Sequence, residues 1–380
     1  MRVLFTVVPA VGHLYPTLPL ARAFRGRGDA VAYAGPPSFG QIIADEDVEV
    51  LTAGSEVPDL GAELAARVDL SPVPGEMPPA TEAELFAGVR VDLDFDVTLA
   101  AARQWRPDLV IGDTCDHVGP MVAVTLGVPY GNVTLGQQFE PARREAHRAR
   151  TASQHRQRGL PQRAPAFVAD ICPPALQFDD WREPEMWLPM RPGAHRAPGK
   201  PATARATASR GIPERPRVLL TFGTLYAATN VLSPLIKEIT TLDVDLHVTV
   251  GLAATAEDFD VDRTQVTFEP FTPIAELLSG VDLVVSHAGA GTTYAALSAG
   301  IPLVLLPQGA DQFSVADRAV TTGAALRLLP DQATPDRIRR AITTILAEPG
   351  HRDAAAGVAR QIAAMPPATA VAESIATIVS

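Results

Sequence analysis

The chain has 380 residues, enough for two domains of ordinary size or one large domain. Hydrophobic residues make up 47% and charged residues 20%, which excludes disorder, collagen and coiled coil as descriptions of the whole chain. The formal net charge of −11 argues against polyanionic partners such as nucleic acid, so any phosphate would need a local binding device. Two cysteines, Cys115 and Cys172, are too few for a disulfide framework and fit a reducing cytoplasm.

Short apolar runs alternate with helical patterns in the first half of the chain. The opening run Val3–Val8 is followed by Pro9 and His13, which favours a buried strand over a signal peptide. No segment reaches the roughly 20 apolar residues that a membrane helix needs. The predicted strands are Arg2–Val8, Ala30–Ala34, Val48–Leu51, Asp108–Ile111 and Pro129–Val133, and the predicted helices are Pro16–Arg27, Pro37–Ala44 and Val118–Leu126. This alternation indicates a parallel sheet covered on both faces.

The same alternation restarts after residue 216. The predicted strands are Arg217–Thr221, Asp245–Val250, Gln265–Phe268, Asp282–Ser286, Pro302–Leu306 and Ala325–Leu328. The predicted helices are Val231–Thr241, Thr292–Ala299, Phe313–Thr322, Asp336–Ala347, Arg352–Ala364 and Pro367–Val379. The fold class is therefore α/β, with two doubly wound parallel-sheet domains that face one another across a cleft. Ligands in such sheets bind outside the carboxyl ends of the strands.

Domain limits follow from these patterns. Residues 1–195 form an N-terminal Rossmann-like domain, the Pro- and Arg-rich stretch 196–216 is a linker, and residues 217–365 form a C-terminal Rossmann-like domain. Residues 366–380 form a last helix that packs back on the N-terminal domain. Two insertions, Thr52–Val91 and Gly136–Met190, break the alternation and are typical of functional loops.

The sharpest local motif is the run from Ser286 to Thr293, SHAGAGTT, which follows a predicted strand and opens a helix. Glycines let backbone approach a ligand closely, and a helix start offers unpaired N–H groups and a partial positive charge. With a donor from His287 and a hydroxyl from Thr292, the motif predicts a diphosphate cradle that needs no lysine. A capped tight turn is the structural alternative. A dinucleotide fingerprint is another, although Tyr294 replaces its third glycine.

Three further stretches lie at the same predicted edge of the second sheet. Phe222–Thr224 follows the first strand, where ordinary turn chemistry is equally compatible. Phe271 either stacks on a nucleobase or belongs to the core. Asp311 and Gln312 either bind sugar hydroxyls together or cap the next helix, since aspartate is a good N-cap residue.

Charged runs elsewhere in the sequence indicate solvated surface. Asp92-x-Asp94-x-Asp96 and Asp258-x-Asp260-x-Asp262 are similar to metal-binding DxD motifs, but no sequence context supports a metal site at either. The basic run comprises Arg143, Arg144, Arg148, Arg150, Arg156 and Arg158. A solvated helix face is the main interpretation of this run, and a patch for a membrane or a carrier protein is the alternative.

The segment FTPIAELLSGVDLVVSHAGAGTTYAALSAGIPLVLLPQGADQFSVA, from Phe271 to Ala316, resembles the donor-binding signature of family 1 glycosyltransferases of the GT-B fold. The N-terminal segment VVPAVGHLYPTLPLARAFRGRG is similar to the actinobacterial natural-product branch, which attaches deoxysugars to antibiotics and aromatic polyketides. The resemblance covers nearly the whole chain and is weak in the two insertions, which form the acceptor site in this family. It implies a metal-independent hexosyltransferase.

By position, the resemblance implies that the second half binds the nucleotide-sugar donor. His287 would contact the diphosphate, and Phe271 stands where many relatives have a tryptophan beneath the nucleobase. Asp311 and Gln312 match the pair that binds sugar hydroxyls. The assigned donor set is Gly12, Phe222, Gly223, Thr224, Phe271, Thr272, His287, Gly289, Ala290, Gly291, Thr292, Asp311 and Gln312. The expected donor is a thymidine diphosphate (dTDP) deoxysugar, with no metal and no other cofactor.

The expected general base is His13, which lies just beyond the first predicted strand, because a neutral imidazole is a good base near pH 7. The family usually pairs this histidine with an aspartate at a strand end. Asp113 fits best and Asp116 is the second choice, with a helix N-cap as the structural alternative for Asp113. The nearby His117 is interpreted as a capping or surface residue. These roles predict a single displacement that inverts the anomeric carbon and forms an O- or C-glycoside.

The predicted acceptor residues lie in the two insertions and are Phe86, Gln138, Phe139, Trp181 and Trp187. Apolar walls with a few polar groups suit a hydrophobic aglycone such as an aromatic polyketide or a macrolide. Loops that pack on themselves are the alternative.

Two other functions remain open, a non-catalytic glycosyltransferase-like auxiliary protein and a sugar-nucleotide 2-epimerase. The presence of His13, His287 and Asp311 argues against the first, and the insertions argue against the second. The expected partners are the nucleotide sugar and a small acceptor, without nucleic acid or an integral membrane. The expected protein is a cytoplasmic monomer or homodimer.

Overall fold

The computed structural model describes residues 1–70, 77–182, 184, 186–195, 215–223, 229–250, 255–270 and 272–380. The predicted site residues Thr224 and Phe271 and most of the predicted linker, 196–214, lie outside the described residues. The chain divides into two compact units. Unit 1 comprises Met1–Cys172, Asp179–Arg191 and Met365–Ser380, and unit 2 comprises Pro173–Phe178 and Pro192–Ala364.

Unit 1 is built on a seven-stranded sheet in the order β3-β2-β1-β4-β5-β6-β7. The strands are β1 (Arg2–Thr6), β2 (Ala30–Gly35), β3 (Glu49–Thr52), β4 (Leu109–Asp113), β5 (Tyr130–Val133), β6 (Val168–Asp170) and β7 (Trp187–Pro189). Every neighbouring pair is parallel, and the register places Val3 between Val31 and Leu109. The central strands are apolar on both faces because helices cover both faces of the sheet.

The helices of unit 1 include most of the first insertion and part of the second. They are α1 (Val11–Leu14), α2 (Leu18–Gly26), α3 (Phe39–Ile42), α4 (Val57–Arg67), α5 (Pro79–Ala83), α6 (Arg90–Trp105), α7 (Val118–Leu126) and α8 (Pro141–Gln157). Short 3₁₀ segments occupy Tyr15–Thr17 and Ala44–Glu46, and a π-helical segment, Glu84–Val89, joins α5 to α6. Phe95 and Leu99 of α6 pack with Val118 and Val122 of α7 and Leu4 of β1 in one buried cluster.

Unit 2 has the same architecture, with a six-stranded parallel sheet in the order β10-β9-β8-β11-β12-β13. The strands are β8 (Arg217–Thr221), β9 (Asp245–Thr249), β10 (Val266–Glu269), β11 (Leu283–Ser286), β12 (Leu303–Leu305) and β13 (Ala325–Arg327). The helices are α9 (Thr229–Ile239), α10 (Ile274–Leu277), α11 (Ala290–Ser298), α12 (Gln312–Thr321), α13 (Pro335–Ala347) and α14 (Pro349–Ala364), with 3₁₀ turns at Pro174–Leu176 and Ala256–Asp258. The last helix of the chain, α15 (Ala368–Ile378), belongs to unit 1 and packs against α2.

The strand order defines one special position in each sheet. In unit 1, β1 lies between β2 and β4, and in unit 2, β8 lies between β9 and β11. The crossover connections leave in opposite directions at these places, so a crevice opens beyond the carboxyl ends of the two strands. The predicted fold class of two doubly wound parallel sheets is confirmed. Its topology places the expected ligand-binding positions at the carboxyl ends of β1 and β4 and of β8 and β11.

One acidic run differs from its interpretation as solvated surface. In Asp92-x-Asp94-x-Asp96, Asp94 is only 3% exposed. Its carboxylate lies 3.7 Å from Arg90 and accepts hydrogen bonds from the N–H (2.9 Å) and hydroxyl (2.7 Å) of Ser55. Asp94 therefore holds the start of the first insertion to α6. None of the helices among the described residues has the length and apolar character needed to cross a bilayer.

Candidate active site

The crevice of unit 1 holds a histidine–aspartate pair. His13 lies in α1, which follows β1 after a short turn, and Asp113 is the last residue of β4. The distance from His13 Nδ1 to Asp113 Oδ1 is 3.2 Å. The carboxylate is fully buried, whereas the imidazole is 17% exposed. The structure therefore brings the predicted base and its predicted partner together at the switch point, with Gly12 beside them in α1.

The surroundings of Asp113 decide which nitrogen of His13 is basic. Its carboxylate accepts backbone N–H bonds from Val8 (2.9 Å) and Cys115 (2.6 Å). Burial alone would raise the pKa of Asp113, but the charge and hydrogen bond of His13 and the bond from Val8 lower it below its ordinary value. An ionised carboxylate can only accept hydrogen bonds, so Nδ1 of His13 carries the proton between them. The lone pair is then on Nε2.

Asp116, the second choice for this role, has other partners. It pairs with Arg90, and it accepts hydrogen bonds from the Thr6 hydroxyl (2.7 Å) and from the N–H groups of Val118 (3.1 Å) and Gly119 (3.1 Å). Burial raises the pKa of Asp116, against the opposing charge of Arg90. Asp116 therefore joins β1, α6 and the start of α7, and sequence reasoning missed its partner Arg90.

Aromatic side chains from the two insertions lie beside His13. The ring centroids of His13 and Phe86 are 5.7 Å apart, and those of Phe86 and His147 are 6.2 Å apart. The ring centroids of Phe139 and His147 are 5.0 Å apart. Phe86 projects from the π-helical segment, a distortion that is frequent at functional sites. Of the predicted acceptor residues, Phe86 and Phe139 thus share one cluster with His13, the predicted base, through His147.

The other predicted acceptor residues lie elsewhere along unit 1. The rings of Trp181 and Trp187 are 5.4 Å apart, and the indole N–H of Trp187 donates to Asp170 at 2.9 Å. Gln138 is half-buried next to Phe139. Within the described part of the chain, no ring contact joins either tryptophan to His13. Their contact with an acceptor therefore stays a prediction.

A series of hydrogen bonds runs from Thr151 to Glu82 and includes His147, a member of the aromatic cluster. The Thr151 hydroxyl lies 2.9 Å from His117 Nδ1, His117 Nε2 lies 3.0 Å from His147 Nδ1, and His147 Nε2 lies 3.1 Å from Glu82. Burial and the neighbouring charge of His147 lower the pKa of His117 to about 3. Burial would raise the pKa of Glu82, but hydrogen bonds from His147 and Arg143 lower it. His117 occupies the N-cap position of α7, yet its ring takes part in this series of hydrogen bonds rather than lying at the surface.

The basic run on α8 is largely paired rather than simply solvated. Arg150 contacts Glu84 at 2.6 Å and Arg158 contacts Asp92 at 3.0 Å. Arg67 of α4 contacts both acids, at 3.0 Å and 2.8 Å. Burial would raise the pKa values of Glu84 and Asp92, but the arginines lower both. This ion-pair network ties the two insertions to each other and to α6, and so it fixes the segment that carries Phe86.

The crevice of unit 2 holds His287, directly after β11. The side chain is 9% exposed, and burial lowers its pKa to about 4 against the effect of a hydrogen bond with the Thr221 backbone. The imidazole is therefore uncharged at neutral pH. Its ring lies 6.0 Å from that of Phe222, which is fully buried in the core of unit 2. The Phe222 ring therefore packs against His287 from the core, and its predicted place beside the donor stays a prediction.

The start of α11 is open to solvent beside His287. Gly289 is the N-cap residue, Gly291 is exposed and Thr292 is half-buried. The first N–H groups of a helix have no partner within the helix. The fully buried Thr293 Oγ1 has no hydrogen-bond partner among the described residues. This helix start therefore offers donors to an anion. Of the other predicted donor residues, Gly223 and Thr272 are half-buried and Ala290 is buried.

The Asp311-Gln312 pair divides into two roles. Gln312 is 3% exposed, and its Oε1 accepts the N–H groups of Gln308 (2.8 Å) and Gly309 (3.1 Å). Its carbonyl group therefore holds the loop after β12, and its predicted contact with sugar hydroxyls stays a prediction. Asp311 occupies the N-cap position of α12, but its carboxylate makes no capping hydrogen bond. The predicted role of Asp311 in binding sugar hydroxyls stays a prediction.

Comparison with known proteins gives consistent results over both units. Residues 22–191 match the N-terminal domain, and residues 233–378 the C-terminal domain, of the family described as erythromycin biosynthesis protein CIII-like. L-demethylnoviosyl transferase of Streptomyces niveus is 31% identical, over 99% of this chain and 98% of that protein. The glycosyltransferase SnogD of Streptomyces nogalater is 25% identical, with a TM-score of 0.80 over 100% of this chain and 99% of that one. Glycosyltransferase VinC, solved in complex with dTDP, is 26% identical, with a TM-score of 0.78 over the same shares of the two chains.

The matches to these relatives cover 99–100% of the chain and so include both crevices. The relatives are named as glycosyltransferases, and the two-sheet architecture agrees with the GT-B fold implied by the sequence motifs. The chain therefore belongs to the erythromycin biosynthesis protein CIII-like family and is a family 1 glycosyltransferase of the actinobacterial natural-product branch.

Proposed function

We propose that the enzyme transfers a deoxysugar from a dTDP-sugar to a hydroxyl or activated carbon of a hydrophobic natural-product aglycone, with inversion at the anomeric carbon. The observation that carries the proposal is the 3.2 Å contact between His13 Nδ1 and a buried, ionised Asp113. This contact leaves the Nε2 lone pair of a partly exposed imidazole as a general base. The aromatic cluster around Phe86 supplies an apolar wall beside it.

The proposed displacement conserves every proton and electron pair. Nε2 of His13 takes the proton of the acceptor hydroxyl as its oxygen bonds to the anomeric carbon. The bond from that carbon to the diphosphate oxygen breaks, and its electron pair leaves with dTDP. Asp113 stabilises the imidazolium that forms. In unit 2, the N–H groups at the start of α11 and the His287 ring would stabilise the negative charge on the leaving diphosphate.

The donor assignment is supported by a relative and by the chemistry of unit 2. VinC, which is 26% identical, was solved with dTDP. A helix start next to a buried imidazole suits a diphosphate, and the proposed site needs no lysine or metal to bind its charge. Asp311 would bind hydroxyls of the sugar. The central test is product analysis by mass spectrometry with dTDP-deoxysugars and polyketide or macrolide aglycones. A chain that binds dTDP-sugar but forms no glycoside with any of them would contradict the proposal.

Substitution of two glycines in the donor motif should have different effects, one on protein stability and the other on ligand binding. A Cβ at Gly289 would lie 2.6 Å from His287 Nε2, whereas a Cβ at Gly291 would meet no atom within 4 Å. We expect Gly289→Ala to displace the His287 ring and to lower the free energy of unfolding by about 1–3 kcal/mol. Gly291→Ala should fold with unchanged stability but bind dTDP at least about tenfold more weakly, because its methyl group would stand in front of the helix start.

Thermal melting and calorimetric titration with dTDP measure the two effects. Wild-type affinity for dTDP in Gly291→Ala would exclude the start of α11 as the diphosphate site. Equal stability of Gly289→Ala and the wild type would show that the His287 ring has room to move.

Donor binding should take up a proton. His287 has a pKa of about 4 in the ligand-free protein, so it is neutral at pH 6, and a bound diphosphate favours its charged form and raises that pKa. Affinity should therefore increase as the pH falls towards 4, and protein stability without ligand should decrease as the pH falls from about 6.5 to 4. Calorimetry with a dTDP-sugar at pH 6, in buffers of different ionisation enthalpy, measures the uptake. His287→Ala should abolish it, and uptake that survives in this variant would assign the proton to another group.

A further inference from the structure

A third potential metal ligand lies next to the His13–Asp113 pair. One ligand atom each from His13, Asp113 and Cys115 can be chosen so that all three lie within 4.8 Å of one another. Cys115 is 3% exposed and follows Asp113 by two residues, and its backbone N–H donates to Asp113 at 2.6 Å. Within the described part of the chain, no other group of three such ligands occurs. The thiol has no part in the proposed transfer.

One distance in this group is close to that found in a tetrahedral zinc site. A tetrahedral zinc ion, with bonds of about 2.0–2.2 Å to nitrogen and oxygen, holds these two atoms about 3.3–3.5 Å apart. The distance between His13 Nδ1 and Asp113 Oδ1 is already 3.2 Å. A thiolate ligand binds zinc at about 2.3 Å, and the Cys115 sulfur lies within 4.8 Å of the other two ligand atoms. The His13 side chain is 17% exposed, whereas the Asp113 carboxylate is fully buried.

We propose that His13, Asp113 and Cys115 form a binding site for the zinc ion, and that zinc bound there inhibits the enzyme rather than assisting it. A thiol, an imidazole and a carboxylate together select a borderline-soft ion such as zinc over magnesium or calcium, which prefer oxygen ligands. The metal takes the position of the proton that joins His13 to Asp113.

The proton balance explains the inhibition. On binding, the Cys115 thiol releases its proton to solvent, and the Nδ1 proton of His13 is replaced by the metal while Nε2 becomes the protonated nitrogen. The net change is one zinc ion bound and one proton released. An imidazole with zinc on Nδ1 and a proton on Nε2 has no lone pair left for an acceptor hydroxyl. Zinc and catalysis therefore exclude each other at His13.

Cys172 provides a matched control for substitution of Cys115. Cys172 is also buried, at 1% exposure, and also follows a buried aspartate by two residues, with its N–H donating to Asp170 at 2.8 Å. Asp170 is contacted by the Thr134 hydroxyl at 2.7 Å and the Trp187 indole at 2.9 Å, groups that do not serve as zinc ligands. Cys172→Ser therefore removes a thiol from the same local geometry without touching the proposed site.

The test measures metal binding directly and so does not depend on the proposed sugar transfer. Reduced, metal-free protein is titrated with Co²⁺ to detect thiolate-to-metal charge-transfer absorption, and then with Zn²⁺ in competition with a chromophoric chelator. We expect a single equivalent, with zinc affinity lowered at least about 100-fold in Cys115→Ser and in His13→Ala, and unchanged in Cys172→Ser. His13→Ala changes a partly exposed side chain, so it keeps the test valid if Cys115→Ser does not fold.

Three results would overturn the inference. They are charge-transfer absorption that persists in Cys115→Ser, absorption that disappears in Cys172→Ser, and wild-type protein that binds no stoichiometric zinc. Loss of sugar transfer on titration with one equivalent of zinc, with full recovery after a chelator is added, would support it.

Discussion

Replacement of His13 by alanine should lower kcat for sugar transfer by about 10²–10⁴ and leave the affinity for dTDP unchanged. The variant removes the Nε2 lone pair that we propose takes the acceptor proton, while the proposed diphosphate ligands belong to unit 2. Single-turnover product formation and calorimetric titration with dTDP measure the two quantities separately. A variant that retains more than about a tenth of wild-type transfer would exclude His13 as the base.

Asp113→Asn provides the companion measurement for the pair. An uncharged side chain at this position cannot stabilise the imidazolium, so we expect a large loss of kcat here as well. Because the two residues act as a unit, the double variant His13→Ala/Asp113→Asn should be no slower than His13→Ala alone. Additive losses would show that Asp113 serves the reaction by a route other than His13.

Replacement of Arg90 by methionine should produce the largest loss of stability. Arg90 is 3% exposed, pairs with Asp116, lies 3.7 Å from Asp94 and donates to the Val7 carbonyl at 2.9 Å. The variant leaves buried carboxylates without a counter-charge, which costs about 3–5 kcal/mol. In a unit of this size, that cost corresponds to a fall in melting temperature of about 6–20 °C.

Two controls make this measurement specific. Arg148 pairs with Glu145 at 2.7 Å, but the side chains are 69% and 60% exposed, so Arg148→Met should leave the melting temperature unchanged. Adding Asp116→Asn to Arg90→Met should recover part of the loss, because it removes one of the unpaired charges. Wild-type melting of Arg90→Met would show that water or a rearranged neighbour compensates the buried carboxylates.

Much of the fold was predictable because buried parallel strands appear in the sequence as continuous apolar runs. Strand β8 was predicted with the bounds Arg217–Thr221 that the structure has, and β11 differs from its prediction by one residue. Helix α6 was not predicted, since Arg90 and Asp94 interrupt its apolar pattern and are buried through partners distant in sequence. Strands β6 and β7 have three residues each, too few for a periodic pattern, and β7 ends in a proline.

The site was predictable where local sequence determines it. His13, Asp113 and His287 each follow or end a strand, so the topology alone brings them to the two switch points. Side-chain direction was not predictable in the same way. Phe222 points into the core and the Gln312 carbonyl binds its own loop, although both lie in the expected motifs.

Other neighbours of the site depend on tertiary contacts. The position of His147 between Phe86 and Phe139 depends on how α8 packs against the π-helical segment. A signal for His147 was present, a histidine within a run of arginines on a predicted insertion, but no local rule distinguishes it from a surface residue.

The discontinuity of unit 1 has a practical consequence for recombination between related enzymes. Residues 365–380 return to unit 1, where α15 packs against α2, so a chimera joined only near the linker would combine α2 and α15 from different parents. An exchange of residues 192–364, which are all of unit 2 except Pro173–Phe178, keeps this helix pair from one parent. If donor choice belongs to unit 2 and acceptor choice to unit 1, such a double-crossover library should sample new sugar–aglycone combinations at little cost in folding.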